Sequence, residues 1–111
     1  MNSASLKKNL QQGKICIGSW ITLGNNGIAE IFASAGFDWL VVDLEHSTIS
    51  IEQAGELIRT IDLAGAVPLV RLTSNDISQI KRVMDAGAQG IVVPNVKSAA
   101  EAIDAVAATR Y

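Results

Sequence analysis

The sequence predicts an α/β fold in which strands and helices alternate and every strand runs the same way. Three observations carry this. Short apolar runs recur between longer amphipathic stretches. The last three runs are apolar on successive residues, which suits strands covered on both faces. An Ala-Gly pair closes three of the amphipathic stretches, at Ala35-Gly36, Ala64-Gly65 and Ala86-Gly87, each about two residues before the next apolar run. Glycine there takes the left-handed conformation that ends a helix and turns the chain back. Three such corners set the strands parallel, and right-handed crossovers then lay the helices outside the sheet.

The elements follow in order. Residues 1–14 are polar, with Leu6 and Leu10 the only large apolar pair after Met1, which predicts a short surface helix capped by Ser3 or Ser5 and stopped at Gly13. Strands are expected at Ile15–Ile21, Trp39–Asp43, Val67–Leu72 and Gly90–Pro94, the β-branched bias coming from Val41-Val42, Val67 with Val70, and Ile91-Val92-Val93. Between and after them, four sets of residues recur with the 3.6-residue period of a helix. These are Ile28, Ile31, Phe32 and Ala35; Ile51, Ala54, Leu57, Ile58 and Ile61; Ile77, Ile80, Val83 and Met84; and Ala99, Ala102, Ile103 and Val106. Asn25 or Asn26, Ser50, Asn75 and Ser98 are the expected N-caps, and Ser98 with Glu101 has capping-box spacing.

Composition narrows the function classes. The 111 residues are 49% hydrophobic and 18% charged, a globular balance. A net charge of −2 and scattered Lys and Arg argue against a nucleic-acid surface. The apolar runs are too short to span a bilayer, and the polar N-terminus does not read as a signal peptide. Cys16 is the only cysteine, which excludes an internal disulfide and fits a reducing, cytoplasmic setting. A closed barrel has eight strand–helix units over about 250 residues. Four units are present here, so the expectation for 1–111 is half of such a barrel, or two copies that meet along their strand edges.

The helix-to-strand corners mark the end where strands begin, and chemistry in such folds sits at the other end. His46, the only histidine, follows the second strand and can move a proton near neutral pH. A histidine hydrogen-bonded for structure is an equal reading. Asp43 and Glu45 stand two apart at the same strand end. They could hold a divalent ion through waters, but an ion pair or helix cap is favoured. On extended chain they would point away from His46. Arg71 ends the third strand, and its fork of donors suits a carboxylate or enolate oxygen, or a salt bridge to Asp43 or Glu45. Trp20 either lines the site or packs in the core or at an interface. Asp85 lies before the Ala86-Gly87 corner, at the wrong end to reach His46, and is expected to serve that corner. Lys97, in a loop, is expected to be solvated rather than a Schiff-base lysine.

These residues also form a recognisable series. Gly18-Ser19-Trp20, the run from Ala35-Gly36-Phe37-Asp38 to Asp43-Leu44-Glu45-His46, Val70-Arg71 with Asn75-Asp76, Gln79-Ile80-Lys81, Asp85-Ala86-Gly87, Val92-Val93-Pro94 and Ala108-Thr109-Arg110-Tyr111 resemble the HpcH/HpaI aldolases. The resemblance implies the first four units of a (β/α)8 TIM barrel. It implies a homo-oligomer cleaving a 4-hydroxy-2-oxo acid to pyruvate and an aldehyde with Mg2+, Mn2+ or Co2+. It gives His46 the role of base and Arg71 that of enolate stabiliser. Asp85 would raise the basicity of His46, and the wrong-end position then makes that His46 a neighbouring subunit's. The family's direct metal ligands fall beyond residue 111, so little catalysis is expected of these residues alone. Two alternatives stand beside this reading. One is a magnesium-dependent lyase acting on an acyl-thioester or a phosphoenolpyruvate-type substrate. The other is a non-catalytic half-barrel that self-associates.

Overall fold

A computed structural model describes residues 2–110. Helix α1 (Ser3–Gln11) precedes four strand–helix units: β1 (Gly18–Ile21) and α2 (Asn26–Ser34), β2 (Trp39–Asp43) and α3 (Ile51–Leu63), β3 (Val67–Arg71) and α4 (Ile77–Asp85), β4 (Gly90–Val92) and α5 (Ala99–Ala108). The strands pair in parallel in the order β1-β2-β3-β4. No strand is skipped, so there is no switch point of the kind that splits helices between two faces, and the repeated right-handed crossovers place them on one side.

Strand ends are shorter than the apolar runs, for local reasons. Residues 15–17 precede the β1 ladder because Asp38 engages Ile17: its carboxylate accepts the Ile17 N–H at 2.8 Å and its own N–H donates to the Ile17 carbonyl at 2.7 Å. β4 stops at Val92, two residues before Pro94, which has no N–H to continue the ladder. Leu72 lies outside β3 yet still donates to the Val92 carbonyl at 3.0 Å.

Each corner glycine is left-handed, Gly36 and Gly65 at φ +101° and Gly87 at φ +108°. The caps differ in two places from expectation. Asn2, not Ser3 or Ser5, caps α1 by accepting the Ser5 N–H. Asp76, not Asn75, caps α4, while the Asn75 amide donates to the Glu101 carbonyl at 2.9 Å. Asn25, Ser50 and Ser98 cap α2, α3 and α5, and Ser50 forms a full capping box with Gln53. Glu101 does not close such a box with Ser98; its carboxylate accepts the Lys97 N–H at 2.7 Å.

The core lies between the sheet and the helices. Ile21, Leu40, Val42 and Val70 from one sheet face meet Ala29, Ala33, Leu57, Ile58, Ile61, Ile80 and Val83 from the helices. A fully buried aliphatic side chain of this size contributes about 1.5–3 kcal/mol. In two helices the most buried positions are alanines rather than the large residues of the pattern, although Phe32 of α2 packs against the core. α2 buries Ala29 and Ala33 and leaves Ile31 exposed, and α5 buries Ala105 and Ala108 and leaves Ile103 and Val106 exposed. Alanine rather than isoleucine takes the buried side of both helices.

The opposite sheet face carries Gly18, Trp20, Trp39, Val41, Asp43, Val67, Leu69, Arg71, Gly90 and Val92, by strand alternation. Here large residues lie across glycines opposite them. A Cβ on Gly18 would meet the Trp39 indole at 1.9 Å, and one on Gly90 would meet Leu69 at 2.9 Å. At the strand-starting end, α1 is tied down by the Ser3 N–H to Gln89 Oε1 at 2.7 Å and by buried Leu6. Gln89 in turn donates to Asp62 at 2.9 Å, and its backbone N–H donates to the Pro68 carbonyl. The strand-leaving end is therefore the open rim.

Candidate active site

Asp43, Glu45, His46, Arg71 and Trp20 come together at that rim. Asp43 and Arg71 are opposite residues in the β2–β3 register and share the inner face. The Asp43 carboxylate is 2% exposed and receives the arginine as a two-point fork, Nε to Oδ1 at 3.0 Å and Nη2 to Oδ2 at 2.7 Å. Oδ1 also accepts the backbone N–H groups of Glu45 at 2.9 Å and His46 at 3.3 Å. The hydrogen bond from Arg71 holds the Asp43 carboxyl below the usual carboxylate range, against desolvation, with the two amides helping. Arg71 is pushed the other way by the same bond.

The bonds to Oδ1 fold the chain after β2 into a turn, so the expected divergence of Glu45 and His46 does not occur. Glu45 Oε1 lies 3.4 Å from His46 Nε2 and 3.5 Å from Arg71 Nε. One carboxylate oxygen thus stands between the imidazole and the guanidinium. The His46 side chain is 72% exposed and that of Arg71 24%, so both are reachable from solvent. Trp20 crosses from β1 to lay its ring over Arg71, with the guanidinium carbon 4.5 Å from the ring centroid.

Ser47 belongs to the same turn and was passed over in the sequence. Its hydroxyl donates to the Asp43 carbonyl and accepts the Ile49 N–H. A serine four residues after a strand-ending aspartate was the available signal.

Asp85 is not part of this group. It is the last residue of α4, at the end where β4 begins. A five-residue strand of about 17 Å separates that end from the rim. Lys97 lies after β4, and its backbone is held by Glu101.

The rim is a poor direct metal centre as it stands. Both oxygens of Asp43 are taken by Arg71, and among the described residues no group of three or more His, Cys, Asp or Glu side chains is placed to hold an ion. A surface depression of about 510 Å3 lies elsewhere, along Ala102, Ile103, Val106, Ala107 and Arg110 of α5 and beyond its end.

Residues 16–111 match the HpcH/HpaI aldolase/citrate lyase family. The chain belongs to this family. A 4-hydroxy-2-oxo-heptane-1,7-dioate aldolase of Salmonella arizonae is 44% identical over 107 residues, 96% of this chain and 41% of that protein. The solved structure of an HpcH/HpaI aldolase/citrate lyase family protein from Burkholderia cenocepacia superposes with a TM-score of 0.88 at 34% identity, over 96% of this chain and 43% of the other. That of a citrate synthase variant superposes with a TM-score of 0.85 at 35% identity, over 96% and 45%. The fold is therefore that of the TIM-barrel HpcH/HpaI aldolases, and the chain spans about two-fifths of the length of the curated relatives it matches. Among the described residues no helix is long and apolar enough to cross a membrane.

Proposed function

We propose that residues 1–111 are the N-terminal half of a TIM-barrel aldolase domain whose complete protein cleaves a 4-hydroxy-2-oxo acid to pyruvate and an aldehyde. The observation that carries this is the state of Arg71. Its Nε–Nη2 edge is taken by Asp43, while Nη1 meets no acceptor among the described residues. A guanidinium held by one edge and open at another is built to receive a second planar anion, such as a 2-oxo acid carboxylate or an enolate.

In this reading His46 takes the proton from the C4 hydroxyl, the C3–C4 bond breaks, and the electron pair passes to the pyruvate enolate. Arg71 offsets the charge on the enolate oxygen, which a positioned donor does at no reorganisation cost. Trp20 walls the substrate space beside it. Asp85 raises the basicity of His46 in a neighbouring subunit, which makes the working protein a homo-oligomer. A cytoplasmic location fits the single cysteine.

A divalent cation, Mg2+, Mn2+ or Co2+, fits the charge of the rim. Two carboxylates there face one guanidinium, so an anionic substrate gains from a further positive charge. Bound, the cation supplies Lewis acidity toward the 2-oxo acid. Its direct donors lie outside these 111 residues, with Asp43 and Glu45 accepting only through water.

The test is pyruvate release by the full-length protein from 4-hydroxy-2-oxo acids, with and without chelator. Borohydride in the presence of pyruvate should trap no adduct, and a trapped lysine ends the mechanism. A second reading, carbon–carbon chemistry on a different acid substrate, is favoured by the likeness to a citrate synthase. Acyl-thioester and phosphoenolpyruvate-type substrates in the same assay separate the two.

A further inference from the structure

We propose that Trp20 is a positioning residue for Arg71, its indole holding the guanidinium so that the open edge at Nη1 stays turned to the incoming carboxylate. This rests on the reading of Arg71 as the anion receptor and goes beyond a wall for the substrate space.

Asp43 alone does not fix Arg71. A fork pair defines where one edge of a guanidinium sits but resists tilting out of the common plane only weakly. A second acceptor is close by, because Glu45 Oε1 lies 3.5 Å from Nε. Tilting toward Glu45 would weaken the fork in exchange for a closer second carboxylate, with solvent still reaching Arg71. Such a tilt would carry Nη1 away from the substrate side.

The indole opposes the tilt. Trp20 stands opposite Val41 in the β1–β2 register, two residues short of the level of Asp43 and Arg71. Its ring therefore reaches diagonally across β2 to cover one face of a guanidinium on β3, with the carbon 4.5 Å from the centroid. That distance is within the range of a cation–π contact. The ring is set on a charged group at the strand-leaving rim, and holding that group is a direct account of the contact. Asp43 fixes the edge, Trp20 fixes the face, and the remaining edge is left for the ligand.

The experiment compares Trp20→Leu, which keeps apolar bulk without a π face, with Trp20→Phe, which keeps a π face. The first readout is the Nε–Hε resonance of Arg71 in the 15N-labelled full-length protein. In the unaltered protein it should be displaced upfield by the indole ring current. Trp20→Leu should return it toward the position of a free arginine, and Trp20→Phe should keep part of the displacement. The second readout is the Kd for oxamate with Mg2+ present. Trp20→Leu should weaken oxamate by about tenfold and Trp20→Phe by about threefold or less, the scale of a partly exposed cation–π contact. In an Arg71→Lys background the Trp20→Leu effect should shrink to within twofold, because there is no guanidinium left to hold.

The proposal is overturned if the Arg71 Hε signal is the same in Trp20→Leu as in the unaltered protein. It is also overturned if Trp20→Leu weakens oxamate equally in the Arg71→Lys background, the mark of an indole that touches the ligand itself. Failure of the unaltered protein to bind oxamate would strike the aldolase reading instead, and the Hε displacement would still decide the role of Trp20.

Discussion

Replacing Asp43 with alanine tests the central joint of the rim. The carboxylate is 2% exposed and receives four hydrogen bonds: two from Arg71 and one each from the Glu45 and His46 amides. Removing it orphans two backbone donors and leaves Arg71 with only the longer approach of Glu45 Oε1 to Nε, at 3.5 Å. A broken buried pair costs 3–5 kcal/mol, but the partner here retains water, which places the loss near the lower bound, about 3 kcal/mol. Asparagine keeps a carbonyl for the two amides and sets an NH2 against Nη2, so Asp43→Asn should cost less, about 2 kcal/mol. In urea, with m about 1.5 kcal/mol/M, the midpoint should fall by about 2 M for alanine at unchanged m.

The pH dependence has a fixed sign. The folded-state titration of Asp43 is depressed, so its contribution is complete above the ordinary value of 3.8 and is lost as pH falls through the lower folded value. The gap between the unaltered protein and Asp43→Ala should be full at neutral pH and close only in strong acid. A midpoint shift under about 0.3 M, or a gap that widens on acidification, would refute the reasoning.

Other outcomes follow from the same contacts. Arg71→Lys, which keeps the charge and loses the fork, should lower kcat for pyruvate release by about a hundredfold in the full-length protein. Gly18→Ala would press a Cβ to 1.9 Å from the Trp39 ring and should cost about 1–3 kcal/mol, with Trp39→Leu restoring much of the lost Tm. Ser50→Ala removes the side-chain acceptor for the Gln53 N–H, which is half of the α3 capping box, and should lower stability by about 1 kcal/mol in urea. Gly36→Ala, at φ +101°, should cost more than 1 kcal/mol by the same measurement, since alanine avoids that conformation.

Much of the fold was legible because its signals are local. The Ala-Gly corners encode left-handed glycines at 36, 65 and 87, and these alone orient three strands. The most buried positions of α2 and α5 were not legible, because a periodic pattern of large residues passes over small ones; alanines 29, 33, 105 and 108 take the buried side. At the rim, the nearness of Asp43 to Arg71 followed from strand order. The turn that swings Glu45 back to His46 did not, because it depends on Asp43 Oδ1 accepting two amides, a choice made by a side chain and not by a pattern. The stacking of Trp20 on Arg71 spans two strand spacings and has no signature in the sequence.

A carboxylate that tethers an arginine on one strand and the start of a loop on another acts as a shared hinge pin. Motion of residues 44–47 cannot stay private to the loop, since any displacement that pulls on Oδ1 is felt at Nε across the sheet. Disorder in that loop and misalignment of the guanidinium should therefore rise together, in solution and across variants, rather than as separate faults.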